Sequence, residues 1–282
     1  MCGRIKRRGP RIQAPGAHFA IRCKTGFPRR IQVSSMALLL RQKLSIISLL
    51  IYWPTIFILA HIPIPELVYK AGVSDASLHV LTYLGLVFLL WFAISPEGKV
   101  NWRRPAVWLT LLVVICYGVA DELLQRYVGR TCDIRDLSAN VAGAFTGLIL
   151  PTFLTFWPAL LAVTAIAVFI LTNLASVNPT ELLPVTSTIF YLSAYATVTV
   201  LWIRYIHLFL LLKAPQLKWL IAASIMPTGF LVIVKLFSVI LGKSFTVRSV
   251  VLSAVGIAAV VIAVYMTALI HRGFGRIQSG SF

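Results

Sequence analysis

Apolar residues run in eight blocks, separated by short stretches that hold nearly all of the charge. The blocks fall at about 44–61, 76–95, 105–122, 137–153, 157–174, 184–203, 217–241 and 249–270. Crossing a hydrocarbon layer takes roughly 20 residues of helix, and most blocks come close to that length. Backbone groups in lipid must bond within their own segment, so such blocks read as helices. His61-Ile62-Pro63-Ile64-Pro65 stops the first block, because two closely spaced prolines cannot continue a helix. Only Pro151 and Trp157-Pro158 separate the fourth block from the fifth, with no charge at the turn. Together these two blocks cover roughly forty residues, which fits two spans better than one. The pattern predicts an all-α, polytopic membrane protein of about eight transmembrane helices.

Composition agrees: 59% of residues are hydrophobic and 12% charged, against about 25% charged in soluble domains. A net charge of +18 invites a nucleic-acid reading. Half of it, however, comes from nine Lys or Arg in residues 1–35, a stretch without acids. The remaining basic residues mostly flank apolar blocks, and no basic stripe with interleaved aromatics appears, so no nucleic-acid partner is expected. With eight spans, ten basic residues fall on the side of the termini and six on the other, leaving out residues 1–35 and Lys235. That bias places both termini in the cytoplasm and the protein in the inner (plasma) membrane. Residues 1–43 read as a basic cytoplasmic tail or as an over-extended start, with Met36 opening the protein proper. They lack the apolar core of a secretory signal, although an organellar presequence has a similar composition.

Four cysteines show no CxxC or Cys/His spacing, and no metal or cofactor is expected on that ground. Lys235 lies near the end of the seventh block and is expected to snorkel to the interface. His207 and His271 sit at basic block ends and read as solvated. Tyr191 and Tyr195, one turn apart, read as packing residues. The second half holds no other polar constellation.

The acids are distributed very differently. Asp121, Glu122, Asp133 and Asp136, four of the eight carboxylates, fall between the third and fourth blocks. The start of the second block, the end of the third and the start of the fourth must share one membrane face. Asp75, His79 and Tyr83 follow at i, i+4 and i+8, and so line one face of a helix. Asp121 and Gln125 are one turn apart, with Glu122 beside them. Arg130 follows in a short loop. Asp133, Asp136, Asn140 and Gly143 then recur along one face, and Gly143-x-x-x-Gly147 extends it as a small-residue step for close helix approach. A carboxylate deep in lipid costs roughly 3 kcal/mol unless paired or wet. Arg126, Arg130, Arg135 and His79 are the available partners. An ion-pair and hydrogen-bond clasp holding helices two, three and four together is one reading of the whole cluster. The surplus of carboxylates, histidine, tyrosine and amides points further, to a polar pocket at the outer leaflet.

These same residues resemble the VanZ-like membrane family, named for a protein associated with teicoplanin resistance. The likeness rests on Asp75-x3-His79-x3-Tyr83 and on Asp121-Glu122-x2-Gln125-x4-Arg130-x2-Asp133-x2-Asp136-x3-Asn140-x2-Gly143. The first block, ending YWPTIFILAHIPIP, is similar to the family's opening helix, where a small polar residue commonly stands in place of His61. The resemblance implies a four-helix VanZ-like domain over 44–155 and an additional helical membrane region over 156–282. It also implies that the matched residues form a shared site, but it carries no settled mechanism.

Three functions fit. In the first, Asp75, His79, Tyr83, Asp121, Glu122, Gln125, Arg130, Asp133, Asp136 and Asn140 bind a polar or lipid-linked ligand, such as an envelope precursor or a glycopeptide. In the second, the protein is an intramembrane hydrolase or transferase acting on a lipid head group. His79 is then the general base, with Asp121, Glu122 or Asp136 orienting it or binding a divalent cation. No HExxH or other hydrolase motif supports this reading. The third is a transporter, which the missing internal repeat and the lack of a mid-membrane ionisable site disfavour.

Overall fold

The computed structural model describes residues 29–61, 75–96, 98–127, 133–173, 184–242 and 246–279. The chain falls into two units, Met1–Ala37 and Leu38–Phe282. The expected tail or over-extended start lies mostly outside the described residues. Among the described residues there are eight helices: α1 (Arg29–His61), α2 (Asp75–Ile94), α3 (Pro105–Tyr127), α4 (Ile134–Phe153), α5 (Phe156–Asn173), α6 (Pro184–Tyr205), α7 (Leu217–Ile240) and α8 (Val247–Ser279). A π-helical turn, Ile206–Leu210, continues α6.

Seven of the eight are long and apolar enough to cross a membrane. The exception is α4, which carries Arg135, Asp136, Ser138 and Asn140 in its first two turns. That helix turns a polar face toward other helices, so its composition need not match that of a lipid-facing span.

Local chemistry sets the helix ends. Pro105 opens α3, where a missing N–H costs nothing. Asp133 caps α4, its Oδ1 accepting from the Arg135 N–H at 2.9 Å. The uncertain division between the fourth and fifth blocks is a real break. Leu154 is extended (ψ 144°), and Pro158 falls in the first turn of α5, where its ring is tolerated. Pro151 stays inside α4, and its carbonyl accepts from Val100 N at 3.0 Å. Trp102 Nε1 donates to Thr152 Oγ1 at 3.1 Å, so the α2–α3 connection is tied to the end of α4.

The apolar core forms two clusters that meet along α5. One gathers Ile56, Tyr83, Val87, Phe88, Trp91, Val107, Leu111, Val114, Ala144 and Leu148. The other gathers Leu161, Val168, Tyr191, Tyr195, Val198, Trp219, Ala223 and Ile257. In the first cluster, α2 and α4 make the most extensive helix pair. Glycine permits it: a Cβ on Gly143 would run into the Val80 carbonyl oxygen, and one on Gly147 would lie 3.0 Å from Leu84 O. The GxxxG step thus lets α4 lie against the backbone of α2.

Candidate functional site

Close approach of α2 and α4, with α3 alongside, brings three polar faces together at one end of the bundle. His79 and Tyr83 come from α2, Asp121, Glu122 and Gln125 from α3, and Asp136 and Asn140 from α4. All seven are between 1 and 8% exposed. The i, i+4 spacings read from the sequence are what turn each pair inward.

His79 Nδ1 and Asn140 Oδ1 are 2.9 Å apart. A carboxamide oxygen can only accept, so Nδ1 carries the proton and the lone pair resides on Nε2. Glu122 Oε1 lies 3.9 Å from the same Nδ1. Gln125 Nε2 donates to Asp121 Oδ2 at 3.1 Å, one turn back on α3. His79, Glu122 and Asp136 each present a ligand atom, and these atoms all lie within 4.8 Å of one another, so the three together can hold a metal ion.

Among the buried polar atoms here without a hydrogen-bond partner are the Tyr83 hydroxyl and Asn140 Nδ2. Both press against α3 where Gly118 has no side chain: a Cβ there would stand 3.3 Å from the hydroxyl and 3.5 Å from Nδ2. Gly118, one turn before Asp121 and Glu122, thus lets both groups close in beside the carboxylates.

The other expected site residues are Asp133, Asp75 and Arg130. Asp133 is committed to capping α4. Asp75 opens α2, but its side chain is not among those described, and Arg130 lies outside the described residues. Arg126 and Arg135, two of the expected ion-pair partners, are exposed.

Sequence reasoning left His61 out of the site. Its Nδ1 donates to Phe57 O at 2.8 Å and lies 3.9 Å from Asp121 Oδ1. The end of the first block must share a face with the start of the second, so this contact was open to inference. The two prolines drew attention to chain termination instead. Gly118 was equally silent, being one glycine in an apolar helix.

In the second half, Lys235 departs from expectation and His207 gains a partner. The Lys235 ammonium donates to Ser249 Oγ of α8 at 2.6 Å and sits 4.9 Å from the Tyr191 ring centroid, so it is held by neighbouring helices. His207, although exposed, accepts from Trp219 Nε1 at 2.9 Å.

Among the described residues, eight helices, seven of them able to span a bilayer, define a multi-pass membrane protein, with a buried polar cluster where three of its first helices meet. Residues 33–156, from α1 to the first residue of α5, match the model of the family described as VanZ/LLP1. That segment is similar to the family. No curated protein and no solved structure matches the chain.

Proposed function

We propose that this VanZ-like protein takes the polar head of a lipid-linked envelope ligand into the space between α2, α3 and α4. The observation that carries this reading is the pair of unpartnered buried donors, Tyr83 OH and Asn140 Nδ2, gathered against Gly118 one turn from the carboxylates. A buried donor without an acceptor costs about 1–3 kcal/mol, a penalty that a bound oxygen atom removes. α4 completes an even number of crossings with its polar face turned inward. The termini then lie in the cytoplasm of an inner-membrane protein, and the site opens at the outer leaflet, where head groups of envelope precursors are found.

A second reading, a hydrolase or transferase acting on the same head group, draws on the Asn140–His79 bond. It fixes the imidazole tautomer that a general base needs. That reading predicts turnover in detergent, abolished by His79→Ala, whereas pure binding saturates without product. A link to glycopeptide resistance rests on the family name alone, and the experiment below includes it.

The test uses His79→Ala, Asp121→Asn and Asp136→Asn in the full chain. Each is expected to purify folded and helical from membranes, yet to lose tolerance to cell-envelope stress, teicoplanin included. If the variants instead melt much earlier than wild type, the cluster is a structural clasp and the head-group reading falls.

A further inference from the structure

We infer that His79, Glu122 and Asp136 form a divalent-cation site where α2, α3 and α4 meet. One imidazole and two carboxylates from three different helices bring ligand atoms within 4.8 Å of one another, and all three residues are buried. Gathered acids on a protein surface are commonplace without a metal. These three are buried, and a divalent cation placed among them would be bonded by all three helices at once.

Two further features point the same way. The Asn140 oxygen holds His79 by Nδ1 and leaves the lone pair on Nε2, which is the support a metal-binding histidine usually receives from its outer neighbours. Tyr83 OH and Asn140 Nδ2, both unpartnered and buried, lie against Gly118 one turn from Glu122. Donors so placed suit an oxygen bound to the cation better than the cation itself.

The donor set narrows the ion. A structural zinc site would call for four ligands rich in Cys and His, and calcium prefers oxygen alone. One nitrogen and two carboxylate oxygens suit an octahedral divalent ion of the Mn²⁺ type, with positions left for further oxygens. Those positions, on the strength of the head-group reading, take phosphate oxygens of the lipid-linked ligand. No local spacing announces the site, because its ligands come from three separate helices.

The test is Mn²⁺ titration of the full chain, purified in detergent and stripped with chelator, followed by electron paramagnetic resonance. Wild type is expected to bind one Mn²⁺ per chain and to show nitrogen coupling from one imidazole. Glu122→Gln and Asp136→Asn are each expected to weaken binding about tenfold or more. Asp133→Asn, which keeps the helix cap and lies outside the cluster, is expected to stay within about threefold of wild type. Failure of folded wild type to bind Mn²⁺, binding without nitrogen coupling, or equal affinity in Glu122→Gln overturns the cation site. Should Glu122→Gln not fold, nitrogen coupling in the wild type decides. The head-group reading survives loss of the cation site if His79→Ala folds yet still loses stress tolerance. Conversely, Mn²⁺ binding with unaltered stress tolerance in the variants retains the cation site and removes the head-group reading.

Discussion

The α2–α4 and α6–α8 pairs are the two most extensive helix contacts in the protein, and they use the same packing device. Gly143 and Gly147 let α4 touch the backbone of α2. Gly256 does the same for α8, since a Cβ there would lie 2.7 Å from Leu192 O on α6. The polar residues differ completely. Along α6 and α8, buried hydroxyls bond back into their own helices: Thr199 Oγ1 to Tyr195 O and Ser253 Oγ to Ser249 O, each at 2.7 Å. Such groups satisfy themselves within a turn. The Tyr195 hydroxyl, without a partner, is an exception. Along α2, α3 and α4, Thr110 likewise bonds back to Ala106 O at 2.8 Å, but ionisable and amide side chains are buried as well, and some reach across helices, as His79 does to Asn140 and Glu122. Tight packing of membrane helices therefore needs small residues and locally satisfied hydroxyls, and the ionisable cluster exceeds that need. This excess is the physical reason to look for function at the first site and not at the second.

The largest expected effect breaks both pairs alike. Gly143→Leu and Gly256→Leu should each abolish recovery of monodisperse protein from membranes, because a side chain would have to enter facing backbone. The milder Gly143→Ala should still cost about 1–3 kcal/mol in thermal unfolding. Tolerance of Gly256→Leu alone would show that the pairs are not equivalent.

The next effect separates the regions. Asn140→Ala removes the acceptor from His79 Nδ1 and should cost about 1–3 kcal/mol. Thr199→Val removes only a self-satisfied hydroxyl and should move stability by about 0.5 kcal/mol or less. Equal losses, measured by unfolding in detergent, would erase the distinction drawn between the two halves.

Lys235→Met probes a cation held between helices of the second half. It trades a charge-assisted bond to Ser249 and a cation–π contact for apolar packing, and the net change should stay within about 1 kcal/mol in either direction. A much larger loss would mark Lys235 as part of a second charged site. The smallest change is expected for Ser253→Ala, within about 0.5 kcal/mol. A stability loss above that would mean its hydroxyl serves α6 as well as its own helix.

Much of this arrangement was readable one helix at a time. Block ends at 76, 105, 157, 184 and 217 fall within two residues of the observed helix starts, since the shift from apolar to charged or proline-containing sequence marks them. The third block was drawn too short: α3 continues to Tyr127, carrying Asp121, Glu122 and Gln125 as helical residues. Polarity was taken there for the end of a helix, when it marked the end of the apolar face. Asp133 was grouped with the site because it lies in register with Asp136 and Asn140. Its position just before the helix start equally suits a cap, and that is where its oxygen is used.

The sequence by itself determined the membrane class, the helices and the inward face of each, because hydrophobic length and 3.6-residue periodicity are local properties. Which faces meet was left to the tertiary structure. The closing of Tyr83 and Asn140 on Gly118, the approach of His61 to Asp121 and the convergence of His79, Glu122 and Asp136 all depend on how closely the helices lie. That closeness is set by Gly143 and Gly147 against the backbone of α2, a contact between residues some sixty positions apart, and no spacing within a single helix encodes it.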